Sequence, residues 1–157
     1  MSVQFSPQSL QEFDKIVAKY PHKNAAMLPV LYLAQKEFGY ISSDVMEYVA
    51  EMMDVPVARV LGVVTFYTMF NTKPIGRHHI QVCRTLPCAL AGARSITAAI
   101  KDKLKIDLGE TTPDGRFTLT EVECLASCGT APMMQVNDDY YENLTEKNVG
   151  EILDRLK

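Results

Sequence analysis

The chain has 157 residues, with 16 Lys and Arg against 19 Asp and Glu, a formal net charge of −3 and 47% hydrophobic residues. Such a length suits one or two compact domains with a real core, so cross-links are not needed for folding. Interspersed charges leave no basic footprint for nucleic acid; the apolar stretch from Val60 to Phe70 is far shorter than the roughly 20 residues that span a bilayer; and no export signal opens the chain, so the expectation is a soluble, cytoplasmic protein of a reducing compartment.

The first seventy or so residues read as helices. Ser6-Pro7 supplies an N-cap followed by proline at the first helical position, and Leu10, Phe13, Ile16, Val17 and Tyr20 recur at helical spacing. A second helix is expected from about Asn24 to Phe38, with Met27, Leu28, Leu31 and Ala34 on one face and Gly39 as terminator; Pro29 makes it start late or bend. Ser42 or Ser43 caps a third, with Asp44 in its first turn and Val45, Met46, Val49 and Met52 or Met53 inward. Pro56 opens a fourth, "PVARVLGVVTFYTMF", whose late part is apolar on nearly every side and has to be covered by something.

"NTKPIGRHH" is a connector by composition, which places the domain boundary between a helical bundle over 1–72 and a second domain over 73–157. After it the period changes. "HIQVC" is a short strand; Leu90, Ala93, Ile96, Ile100 and Leu104 mark an amphipathic helix; and the turn at Asp114-Gly115 leads into a strand through Phe117, Leu119 and Val122 that ends at Cys124. "PMMQV", "NDD" and "YYENL" read as a hairpin, and Thr145 caps a last helix over Glu146–Leu156 with Val149, Ile152, Leu153 and Leu156 inward. The fold class is therefore α+β, with a β-α-β-β-β-α second domain whose first β-α-β is a parallel crossover, as in thioredoxin-like domains.

All four cysteines of the chain lie in "CRTLPC" and "CLASC". A parallel crossover puts Cys83 and Cys124 at the same ends of neighbouring strands, and each loop then delivers one more, Cys88 or Cys128. Four thiolates converging on one sheet edge point to a metal site, because a soft cation or cluster offsets their repulsion. Cys₄ zinc and a [2Fe–2S] cluster both accept this spacing. Two loops matching two irons, the small residues Ala89, Ala91, Gly92, Ala126, Ser127, Gly129 and Ala131, and a helix starting just after Cys88 favour the cluster; zinc stays open as an interaction module. Unrelated buried cysteines and disulfides are weaker readings, and Cys-x-x-Cys redox exchange lacks its motif. His78 and His79 are read as surface residues, since four cysteines already saturate the site. No catalytic residue and no nucleotide-binding glycine motif is identified.

The stretches "LPVLYLAQKEFGYIS" and "DVPVARVLGVVTFYTMF", with Cys-x₄-Cys and Cys-x₃-Cys-Gly-x-Ala-Pro read as Cys83, Cys88, Cys124, Cys128, Gly129, Ala131 and Pro132, resemble the family of [2Fe–2S] E subunits of respiratory NADH-quinone oxidoreductase (complex I). The resemblance runs from about Phe13 to the C-terminus. It implies an N-terminal helical bundle followed by a thioredoxin-like ferredoxin domain, and one [2Fe–2S] cluster with Cys83 and Cys88 on one iron and Cys124 and Cys128 on the other. It further implies a partner, the NADH- and FMN-binding flavoprotein (the F subunit), and a place in the peripheral arm at the cytoplasmic face of the inner membrane. The same module occurs in NAD-linked hydrogenases and formate dehydrogenases. The short stretch before the resemblance begins points to a bacterial chain. The docking surface is expected to involve the helices, through Phe66, Tyr67, Met69 and Phe70, with packing of part of this end on the second domain as an equal alternative.

Overall fold

A computed structural model describes residues 3–156. They fall into two compact units, which divide between Pro74 and Ile75.

The first unit is helical: α1 (Pro7–Val17), α2 (Met27–Phe38), α3 (Ser43–Met53) and α4 (Val57–Phe66). Ser6 caps α1 by accepting from the Ser9 N–H, and Ser42 caps α3 by accepting from Val45. Each satisfies an end donor that the helix cannot pair itself. Pro29 makes α2 start late, at Met27, after a single tight turn over Lys23–Ala26, and Gly39 ends it at φ 82°. Helix α2 touches α1, α3 and α4, so its Val30, Leu31 and Ala34 are wholly enclosed. Phe5 closes one end of this core, stacked on Phe38 at 5.6 Å and edge-on to Tyr48 at 5.3 Å. Leu10 and Tyr20, expected on the buried stripe of α1, are exposed, and Tyr20 lies beyond its end.

Helix α4 is shorter than the apolar run that contains it. It stops at Phe66, and Tyr67 is extended. β-branched Val63, Val64 and Thr65 crowd its last turn, where the Thr65 hydroxyl donates back to the Leu61 carbonyl at 2.8 Å. The expectation that this end is covered by something holds in part. Phe70 folds back into the unit's own core and Tyr67 is half-buried, which leaves Phe66 (76% exposed), Leu61 and Met69 uncovered.

The second unit is a four-stranded sheet with helices. Its elements are β1 (His78–Cys83), α5 (Leu86–Leu90), α6 (Ala93–Leu104), β2 (Phe117–Val122), β3 (Met134–Val136), β4 (Asp139–Tyr141) and α7 (Glu146–Arg155). The strand order is β2-β1-β3-β4, with β1 parallel to β2 and antiparallel to β3. The core joins Ile80, Val82 and Leu119 of the sheet to Ile96 and Ile100 of α6 and to Val149 and Leu153 of α7. Thr145 and Asn148 form a capping box at the start of α7. Gly76 is held against the strand next to it: a Cβ there would meet the Arg116 backbone at 2.9 Å, so only glycine fits.

Candidate metal centre

Register places the two cysteine loops. Cys83, the last residue of β1, pairs with Val122, the last residue of β2. Both strands run the same way, so the loops that follow leave from one edge of the sheet. Cys124 lies two residues beyond its strand rather than at its end. An ion pair joins the two exits: Arg84, just after Cys83, donates through Nε and Nη2 to Glu123 Oε1, just before Cys124, with Nε at 3.0 Å. That contact holds the Arg84 guanidinium above its ordinary pKa and the Glu123 carboxyl below its own.

The first loop is enclosed. Cys83 is 3% and Cys88 2% exposed, and both belong to the hydrophobic core of the unit. Cys88 sits inside α5, with Pro87 in its first turn as Pro7 is in α1. The expected long helix starting directly after Cys88 is corrected here: α5 ends at Leu90, Gly92 takes a left-handed conformation at φ 98°, and α6 begins at Ala93. Leu90, placed by periodicity on the buried stripe, is 80% exposed.

Burial and hydrogen bonds shift the two thiols of this pair in opposite directions. Burial pushes the Cys83 thiol up, but the Thr85 hydroxyl, the backbone N–H groups of Thr85 and Leu125, and the Cys88 thiol more than reverse it, so its pKa lies below the ordinary value. Cys88 is pushed up to about 11, by burial first and then by its hydrogen bond to Cys83, with the charges of Cys83 and Cys128 adding to the effect. Cys83 is thus the more acidic thiol of the two. Met133 reaches over from the second loop: its N–H is turned to Cys88 and its carbonyl accepts from the Cys83 N–H at 3.2 Å.

The second loop is open. Cys124 and Cys128 are exposed free thiols. The Ala126 N–H points at Cys124 Sγ from 3.3 Å, and Ala126 adopts a left-handed φ of 59°, an unfavourable conformation for alanine that aims this donor. Glu142, just after β4, braces the loop around Cys128 by accepting from the hydroxyls of Ser127 and of Thr130, the latter at 2.6 Å. Those bonds lower its carboxyl pKa, Ser127 contributing most. Tyr140 donates to the Leu125 carbonyl at 2.9 Å. The Ala131–Pro132 peptide is cis.

The four expected residues therefore come together in part. Cys83 and Cys88 are hydrogen-bonded, and Cys128 is within electrostatic reach of Cys88. Among the described residues no three His, Cys, Asp or Glu side chains are close enough to grip one metal ion. The donor set suits a two-iron group: four reduced, soft thiols arrive as two pairs on two loops, with N–H and O–H donors already turned to their sulfurs. His79 is corrected from a surface residue to a buried one. Its Nε2 is 2.9 Å from Thr120 Oγ1, and burial lowers its pKa. His78 packs beside Phe117, with ring centroids 5.3 Å apart. Thr85, Glu123 and Glu142 were not singled out from the sequence. Only Thr85, lying between two cysteines of one motif, offered a signal there.

The match to the thioredoxin-like [2Fe–2S] ferredoxin family model covers residues 13–157. The E subunit of NADH-quinone oxidoreductase from Rickettsia conorii is 47% identical over 98% of this chain and 93% of its own length. The mitochondrial NADH dehydrogenase [ubiquinone] flavoprotein 2 of Dictyostelium discoideum is 45% identical over 98% of this chain, which spans 63% of that protein. An NAD+-reducing [NiFe]-hydrogenase in its air-oxidised state has the same fold over 83% of this chain, with a TM-score of 0.72 and 17% identity; this chain spans 22% of that one. No helix among the described residues is long and apolar enough to cross a membrane. The chain belongs to the thioredoxin-like [2Fe–2S] ferredoxin family, whose cofactor is a [2Fe–2S] cluster, and along nearly its whole length it matches oxidoreductase components named as the E subunit of NADH-quinone oxidoreductase.

Proposed function

We propose that this protein is the [2Fe–2S] electron-transfer subunit of an NADH-quinone oxidoreductase. Cys83 and Cys88 would hold one iron and Cys124 and Cys128 the other. The observation that carries the reading is the delivery of two cysteine pairs from the ends of two adjacent parallel strands, in a chain 47% identical to a named E subunit of that complex. When bound, the cluster supplies storage for one electron. The residues of this chain hold the sulfurs apart from bulk water on the Cys83–Cys88 side, aim backbone and hydroxyl donors at them, and leave the Cys124–Cys128 side open to a neighbour.

A hydride carries two electrons and a two-iron centre takes one at a time, so a flavin must stand between NADH and this protein. The partner is the NADH- and FMN-binding flavoprotein. The assembly sits in the peripheral arm, at the cytoplasmic face of the membrane. Residues 1–72 and 73–157 act as separate domains in this reading, and the helices form the dock: Phe66, Leu61 and Met69 remain exposed within the helical unit. The competing surface is on the cluster side, where Leu86 and Leu90 are 70% and 80% exposed beside Cys88.

The test mixes cluster-loaded protein with NADH, with and without the flavoprotein. Reduction of the cluster only when both are present supports the reading. Oxidation of NADH by this chain alone contradicts it. Deleting residues 1–70 then separates the docks. A truncated protein that keeps its cluster but no longer co-purifies with the flavoprotein places the dock on the helices; unchanged affinity places it around Leu86 and Leu90.

A further inference from the structure

Thr85 occupies the N-cap of α5, yet its side chain makes no capping bond. Elsewhere in the chain Ser6, Ser42 and Thr145 at the same position all accept from the N–H three residues on, the usual use of a hydroxyl there. The Thr85 hydroxyl instead lies 3.2 Å from Cys83 Sγ. A thiolate can only accept, so Thr85 is the donor once Cys83 is a ligand. Thr85 is half-buried and the sulfur is 3% exposed, so water competes little for this bond.

We propose that Thr85 is a positioning residue that sets the reduction potential of the centre, through a hydrogen bond from its hydroxyl to the Cys83 thiolate. This rests on Cys83 being a ligand. Reduction adds one electron, and so one negative charge shared with the ligand sulfurs. No bond breaks, and the Thr85 proton stays on its oxygen. A donor to sulfur favours the more negative state, hence a higher potential. The loop forgoes an ordinary helix cap to supply it.

The experiment is a dithionite titration of cluster-loaded protein, followed by EPR and visible absorption, for the wild type, Thr85→Val and Thr85→Ser. Valine keeps the shape and deletes the donor; serine keeps the donor. The expected result is that valine lowers the equilibrium constant for reduction about tenfold, equal to ~59 mV for one electron, and that serine stays close to the wild type. A valine variant at the wild-type potential overturns the proposal, as does a serine variant shifted as far as valine. Thr85→Ala deletes the hydroxyl with less bulk and is read in the same way where valine hinders loading. A purely structural role would lower the urea midpoint of the metal-free protein and leave the potential in place, which also overturns it. Failure of the cysteine assignment would show differently, as a Cys83→Ser protein with a cluster spectrum identical to that of the wild type.

Discussion

The two cysteine loops leave the same edge of the sheet, yet one is built into the core and the other lies on the surface. Cys83 and Cys88 are enclosed, hydrogen-bonded to each other, and tied to the Met133 backbone. Cys124 and Cys128 are exposed, and their loop is held by side-chain hydrogen bonds from Ser127, Thr130 and Tyr140 and by a left-handed Ala126. The difference separates two tasks. In the proposed centre a buried pair would fix position and exclude water from half of it, while an exposed pair would leave a short route for an electron to a partner's surface. The Arg84–Glu123 ion pair joins the two loops at their roots, and being solvent-exposed it adds alignment more than stability.

The largest expected effect erases the distinction. Serine at Cys83, Cys88, Cys124 or Cys128 should each take bound iron well below the wild-type level, because a hard oxygen ligand suits the cluster poorly; iron analysis and visible absorption check this. Full retention in either exposed-loop variant would show that the second loop is not a ligand loop.

Metal-free protein should bring the distinction back. Cys88→Ser puts a hydroxyl into the core in place of a thiol and should cost about 1–3 kcal/mol, whereas Cys128→Ser should stay within about 0.5 kcal/mol of the wild type. Urea unfolding of the two apoproteins measures the difference. Alkylation followed by mass spectrometry should label Cys124 and Cys128 long before Cys83 and Cys88.

A smaller effect comes from the strand that feeds the buried loop. His79 is buried and its pKa depressed below the ordinary value near 6.5. Below that pH the unfolded chain takes up a proton that the folded chain resists, so stability should be complete above about pH 6.5 and fall as the pH drops through the folded value. His79→Gln should flatten that acid limb in urea midpoints measured from pH 7 to 5. The smallest effect belongs to the exposed loop. Ala126→Gly relieves a left-handed alanine and should raise apoprotein stability by at most about 1 kcal/mol, with the unfolding midpoint as the readout.

Much of this arrangement was legible in the sequence, and the parts that were not have physical reasons. The strand–helix–strand order placed Cys83 and Cys124 on one edge because a parallel crossover allows little else. The break between α5 and α6 was missed: Pro87 opens a helix as Pro7 does, and Gly92 interrupts one as Gly39 does, but the apolar spacing from Leu90 to Leu104 masked both signals. His79 could not be placed by alternation, because β1 is an inner strand, with four of its six residues buried. No glycine or proline marks the end of α4 at Phe66; the crowding of Val63, Val64 and Thr65 does so only in combination with the fold. The pairing of Arg84 with Glu123, and of Glu142 with Ser127 and Thr130, joins residues that local pattern does not connect.

Whether the two loops together hold one [2Fe–2S] cluster, as proposed, is decided most directly by composition and spin. Iron, zinc and acid-labile sulfide should be measured on anaerobically purified protein, with EPR spectra before and after reduction. About two irons and two sulfides per chain are predicted, silent when oxidised and giving a signal after one electron is added. Stoichiometric zinc without labile sulfide would rule the cluster out.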